Sequence, residues 1–308
     1  MFNLNLKKFI KKAVVSLHSE KINKKLVLEA KKLALKNNEI NKIDDLSKVE
    51  FQVFSQWGED GIIDWLINKI KKIPKNFIEI GTEDYKESNT RFLLINNGWD
   101  GFLIEGDKDA VKIIKKDRIY WKHNIKIINS YIHLSNLKLT LQSLNIPKKI
   151  GIISLDIDGI DYWILKKLKL LNPVIFICEF NPIFGFKKSV TVPYKKKFNR
   201  TKEHYSNLYY GASLKAIKKL LENKYLFIGT NSAGNNAFFI NKKYTKFIKN
   251  RIKNKKIFKS KFKERRNKKN KLSYLNKDKG IKVIKNKSIF DIDKNKIFKI
   301  YQVFNEKK

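Results

Sequence analysis

The sequence predicts an α/β protein, with five parallel strands closed by a C-terminal antiparallel hairpin to make a seven-stranded sheet covered by helices on both faces. Three observations predict it. From residue 51 onward, short apolar runs alternate with amphipathic stretches, the rhythm of right-handed βαβ crossovers. Runs such as "VIFIC" are apolar at every position, as strands covered on both faces must be. Finally, "YLFIGT" and "AFFIN" flank the turn-rich "NSAGNN", which leaves room only for a loop, so this last pair must run antiparallel.

Each element follows in order. Residues 1–50 form a helical N-terminal extension, with Leu, Ile, Val and Ala spaced by three and four among lysines over 1–40. It either packs on the main domain or lies as a basic amphipathic helix on an anionic membrane. "WGEDGIIDWLINKI" is the first helix of the main domain, with Ile62, Trp65, Leu66 and Ile70 on one face; Ser55 or Gln56 caps it, or Gln56 and Glu59 fold over a ligand. The parallel strands are 77–80, 101–105, 126–130, 151–157 and 173–180, and the helices between them lie near 87–97, 108–118, 135–145 and 160–170. "YGASLKAIKKLLENK" is an amphipathic helix leading to the hairpin, which closes a domain spanning 51–241. Residues 242–308 form a lysine-rich C-terminal extension, helical in part and otherwise loosely ordered, with "SIFDIDKNKIFKIYQVF" able to add strands.

The formal charge of +39 is uneven: residues 241–308 carry 26 basic and five acidic residues, while 51–240 carry only +12. Lysine, isoleucine and asparagine also recur at bland positions, so most of this charge reads as compositional drift over a solvated tail. The competing reading is a non-catalytic protein whose basic tail binds an anionic polymer, nucleic acid or acidic glycan. Cys178 is the single cysteine, which excludes a disulfide framework and a cysteine zinc site. No run approaches the length of a transmembrane helix, and "AVVSL" is too short for a signal-peptide core, so a cytoplasmic location is expected.

Chemistry-bearing residues collect at the C-terminal ends of the strands, the edge where open α/β sheets bind ligands. Glu79-Ile80-Gly81 ends the first strand, and glycine there permits a tight turn and close approach of a ligand to the backbone. The loop then carries Thr82, Glu83 and Asp84 instead of further glycines. Two acids repel a pyrophosphate but suit a sulfonium, which favours S-adenosylmethionine over a nicotinamide dinucleotide. Glu105 ends the second strand 24 residues after Gly81, the position from which an acid accepts ribose hydroxyls. In "SLDIDGIDYW", Asp156 and Asp158 belong at the open edge, because ionised carboxylates inside a sheet are costly. Asp161 serves the next helix N-terminus, or joins Asp158, Glu179 and Asn181 as an all-oxygen set for Mg²⁺, Ca²⁺ or Mn²⁺. In "EHYSNLYYGAS", His204 is the acid–base candidate beside Asp158, and Tyr205, Tyr209 and Tyr210 can stack on a sugar or adenine.

As an ordered set, "FSQWGEDGII", "FIEIGTEDYKESNT…NNGWDGFLIEGD", "ISLDIDGIDYWIL" and "GTNSAGNNAFFI" resemble the FkbM-type S-adenosylmethionine-dependent methyltransferases, over about 51–241. The resemblance implies a Rossmann-like class I methyltransferase fold. It implies that Glu79, Gly81 and Glu105 hold the cofactor, that Asp156 lies near the methyl group, and that Asn89 and Thr90 border the site. It also implies O-methylation of a glycan precursor or another polar small molecule; on this reading nucleic acid is not the expected partner. Two departures stand out. The loop after the first strand carries Glu83 and Asp84 where the family has glycines, and the fourth strand ends Asp-Ile-Asp-Gly where better-known members have acid-Val-Glu-Gly.

Overall fold

The computed structural model describes residues 2–304 apart from 262 and 276, and side chains from residue 21 onward. Five parallel strands form its centre: β1 (Asn76–Ile80), β2 (Asp100–Glu105), β3 (Ile125–Asn129), β4 (Ile152–Leu155) and β5 (Ile175–Glu179). A two-residue strand, β6 (Val190–Thr191), follows, and the hairpin β7 (Tyr225–Thr230) and β8 (Asn236–Asn241) completes the sheet. The order is β3-β2-β1-β4-β5-β8-β7, with β8 antiparallel to both β5 and β7. The expected seven strands and the closing hairpin are therefore present, and the order reverses between β1 and β4.

The helices lie between the strands: α1 (Phe2–Glu39), α2 (Glu59–Lys69), α3 (Arg91–Asn97), α4 (Lys108–Lys116), α5 (Ile119–Lys122), α6 (Leu137–Ser143) and α7 (Asp161–Leu168). The short α8 (Arg200–Glu203) and then α9 (Leu214–Leu221) precede the hairpin. One apolar layer packs Ile78, Ile153, Phe176 and Phe239 against α7 and α9. The other packs Phe77, Ile152, Ile175 and Phe238 against α2 and α3. Alternate residues of one strand thus serve opposite layers, which explains why the strands are apolar throughout.

Two elements are shorter than periodicity suggests. Helix α3 begins at Arg91 and not near Glu87, because Ser88, Asn89 and Thr90 turn inward to the Glu79 carboxylate. Strand β4 stops at Leu155, so Asp156 and Asp158 stand beyond the sheet edge and not within the strand.

The C-terminal part of α1 packs Ala30 and Ala34 on Phe51, Phe54 and Phe92. The side chains that would decide a membrane face on residues 1–20 lie outside the described ones, and no helix among the described residues is long and apolar enough to cross a membrane. Beyond 241, α10 (Lys277–Val283), β9 (Ser288–Asp291), β10 (Lys296–Lys299) and α11 (Ile300–Phe304) follow in order. Strands β10, β9 and β6 form a second small sheet, and Ile284, Ile289, Ile300 and Val303 join the main core. Sequence periodicity does not show that β6 exists or that β9 pairs with it.

Candidate functional site

A cavity of 730 Å³ opens at the C-terminal ends of β1, β2, β4 and β5. Its lining includes Gly81, Glu105, Asp156, Asp158 and Glu179, so the structure brings together most of the expected site residues.

The β1 loop is built around two carboxylates. Glu79 is buried, and its oxygens accept from the Ser88 hydroxyl at 2.7 Å, the Asn89 N–H at 3.1 Å and the Thr90 hydroxyl. Burial raises its pKa, and these three donors oppose that shift. Glu79 therefore shapes the loop that borders the cavity. Glu105 accepts the N–H groups of Thr82 at 2.9 Å, Glu83 at 2.7 Å and Asp107 at 2.8 Å. These bonds clamp the β1 and β2 loops together and leave one oxygen with a single partner, able to accept a further donor. Gly81 has φ +83°, and a Cβ there would lie 1.6 Å from the Asp156 carbonyl oxygen, so the crossing of the β1 and β4 ends requires glycine.

Upstream, Asp60 gathers the N–H groups of Val53, Phe54 and Ser55 at 2.7, 2.8 and 2.9 Å, and Ser55 Oγ accepts the Asp60 N–H. Gly58 holds the N-cap position of α2, and Ser55 Oγ satisfies one N–H of its first turn. Glu59 accepts from Asn231 and Asn236 of the hairpin and ties its turn to α2, while Gln56 lines the cavity.

The β4 and β5 side differs. Asp156 and Glu179 lie side by side, and burial together with neighbouring acids raises both well above the usual carboxylate range. One oxygen each from Asp156, Asp158 and Glu179 lies within 4.8 Å of the others. Asp158, with φ +52°, pairs with Arg200 Nη1 at 2.5 Å. The Arg200 side chain is 10% exposed and its guanidinium stacks 4.0 Å above the Tyr210 ring. Although burial opposes its charge, Tyr210 and the surrounding carboxylates raise its pKa. Phe198 covers Gly159, and Glu264 from the C-terminal segment completes this wall, held by Asn207 at 3.0 Å.

The four expected metal ligands do not form one set. Both oxygens of Asp161 are taken by the N–H groups of Ile157 and Gly159 in the loop that precedes α7; burial raises its pKa to about 6. Asn181 is fully buried, its amide donating to the Leu208 and Tyr210 carbonyls and accepting from Ile183. Asp158 faces a guanidinium. His204 also misses the cavity lining: its Nδ1 bonds Ser206 Oγ at 2.7 Å, and burial lowers its pKa.

Sequence reasoning missed Thr82 as a cavity hydroxyl, Tyr131 at the end of β3, and the Arg200–Glu264 wall. A signal for Arg200 was present. Arginine occurs only six times among 68 basic residues; Arg91 and Arg265 are buried, and the Arg200 side chain is only 10% exposed. Where lysine is the default cation, an arginine marks a site that needs a planar fork.

A seven-stranded sheet in this order, with its penultimate strand antiparallel at the end of a parallel run and a ligand-sized cavity at the reversal, has the class I methyltransferase fold. No family model matches the chain, and no curated protein matches it. Among solved structures it is similar to the pyocyanin biosynthetic protein PhzM, at 10% identity and TM-score 0.35, over 56% of this chain and 52% of that one. It is similar to the N-terminal domain of EvdMO1 with SAH bound, at 8% identity and TM-score 0.40, over 69% and 96%. It is also similar to an O-methyltransferase family 2 protein from Planctomyces limnophilus in complex with apigenin, at 13% identity and TM-score 0.36, over 71% and 61%. The chain thus spans about half the length of the first.

Proposed function

We propose that the chain is an S-adenosylmethionine-dependent methyltransferase of the FkbM type, acting on a hydroxyl of a glycan precursor or another polar small molecule. One observation carries this reading: in a chain of charge +39, the cavity is lined by nine carboxylates and a single guanidinium. Such a lining repels pyrophosphate and nucleic-acid phosphate and favours a cationic or hydroxyl-rich ligand. Two buried atoms at the cavity also lack partners, Thr82 Oγ1 and Asn236 Oδ1, and a polar ligand would satisfy them.

The bound cofactor supplies a methyl group on a positively charged sulfur. Glu105 takes ribose hydroxyls with its remaining acceptor capacity, Gly81 and Thr82 let the ligand approach the backbone, and Tyr131 offers a ring beside the β3 end. Asp156 faces the sulfur end. Asp158 and Arg200 orient the acceptor, and Phe198 keeps water from it. Most of the rate then comes from alignment of acceptor and methyl carbon. Glu264 of the C-terminal extension lines the cavity, which favours this reading over a detached polymer-binding tail.

Calorimetric titration with S-adenosylhomocysteine tests the proposal. Saturable binding, lost in Glu105→Ala, is expected; a folded wild-type protein that binds nothing overturns it.

A further inference from the structure

Strands β4 and β5 pair in parallel with Leu155 beside Cys178, so the residues that follow, Asp156 and Glu179, meet at the sheet edge. One oxygen of each lies within 4.8 Å of an oxygen of the other, and two ionised carboxylates held that close repel each other, which favours a single proton on the pair. The charged and titratable groups around the pair are Asp158 on the same loop, Asp161 on α7, Arg200 on α8 and Tyr210 before α9. Three of these are committed elsewhere: Asp158 to Arg200, Asp161 to two backbone amides, and the Arg200 fork to Asp158 and Tyr210. An independent feature adjoins the pair. Asn236, the cross-strand partner of Glu179, lines the same cavity, is 5% exposed, and has an Oδ1 without a partner. A crowded acid pair beside an unsatisfied buried acceptor describes a place completed by a ligand that brings a cation and a donor.

We propose that the Asp156–Glu179 pair is a charge sensor, holding one proton before the cofactor is loaded, releasing it against the sulfonium, and regaining a proton from the acceptor hydroxyl. The inference rests on the methyltransferase reading above and deepens it. Burial and mutual repulsion favour the singly protonated pair, and a nearby positive charge reverses that preference. The balance closes over one cycle. Loading frees one proton to solvent. In the transfer, the acceptor oxygen bonds to the methyl carbon, the carbon–sulfur electron pair returns to sulfur, and the hydroxyl proton passes to the pair. The spent thioether is neutral, so it then faces a reprotonated pair that has no preference for it, which favours its release. The pair therefore discriminates between cofactor and product and supplies the base.

The test is calorimetric titration of the intact protein with S-adenosylmethionine and, separately, S-adenosylhomocysteine, in neutral buffers of different ionisation enthalpy. The two ligands share every titratable group and differ in the methyl and its charge. The methionine form is expected to release about one proton more than the homocysteine form. Glu179→Gln and Asp156→Asn should each erase that difference while both ligands still bind, and the wild-type comparison decides even where a variant fails to fold. Binding of both ligands with equal proton release overturns the inference and leaves the methyltransferase reading intact. Failure of the wild type to bind either one overturns that reading instead.

Discussion

The two sides of the cavity use the same residue type in opposite ways. On the β1–β2 side, Glu79 and Glu105 accept six hydrogen bonds between them, all from residues 82–90 and 107. On the β4–β5 side, Asp156 and Glu179 face each other with Asp158 close by. The first pair spends its charge on building loops. The second keeps its charge opposed, at a cost to the folded protein that a proton or a cationic ligand offsets. Perturbed carboxylates in a cleft mark function for this reason, whereas well-solvated or fully bonded ones mark architecture.

Gly81 is where the two sides touch, and Gly81→Ala should have the largest effect. The new Cβ meets backbone, the Asp156 carbonyl, at 1.6 Å, and neither strand end can yield. A loss of about 4 kcal/mol or more is expected in urea unfolding, with the cavity distorted on both sides. An unchanged midpoint would separate the two sides and remove the premise of the comparison. Glu79→Ala comes next. It leaves the Ser88 and Thr90 hydroxyls and the Asn89 amide without their acceptor, and about 3 kcal/mol should be lost.

Glu179→Gln should move stability the other way, by about 1–2 kcal/mol at neutral pH. The sign follows from linkage. Burial and Asp156 raise the folded-state pKa of Glu179 above its ordinary value of 4.5. Between those two values the folded state holds a proton that the unfolded chain has released, so stability falls as pH rises through the window. Glutamine does not titrate and escapes that loss. The variant should therefore gain on wild type as pH rises and lose the advantage below the ordinary glutamate range. A pH series of thermal midpoints in which Glu179→Gln melts below wild type throughout would place Glu179 with Glu79, as scaffold.

The sequence made the first side more legible than the second. Strand ends, the glycine turn and the acid 24 residues on are local signals, and β1, β2 and β5 fall within a residue or two of the apolar runs. The β4–β5 side is assembled from distant segments: Arg200 reaches Asp158 across 42 residues, and Asn207 reaches Glu264 across 57. No periodicity encodes such contacts. In "KKKFNRTKEH", one arginine among lysines reads as a solvated loop until Asp158 and Tyr210 are placed around it. The expected metal set failed for a related reason. Asp161 and Asn181 have suitable ligand chemistry, but nearby backbone groups claim their atoms first.

The smallest effect is expected at His204, whose residue type makes it the natural proton acceptor. Its ring lies 4.3 Å from that of Tyr205 and its Nδ1 is engaged with buried Ser206, outside the cavity lining. Burial, with Lys287 nearby, lowers its pKa and so favours the neutral ring at pH 7. Replacement by alanine removes one neutral hydrogen bond and should cost below about 1 kcal/mol of stability. S-adenosylhomocysteine affinity should not change, because no cavity carboxylate loses a partner. A loss of roughly tenfold or more, equivalent to about 1.4 kcal/mol, would mean that the segment carrying His204 and Arg200 closes over the ligand as a unit. The boundary between the bonded and the opposed carboxylates would then shift when the cofactor binds.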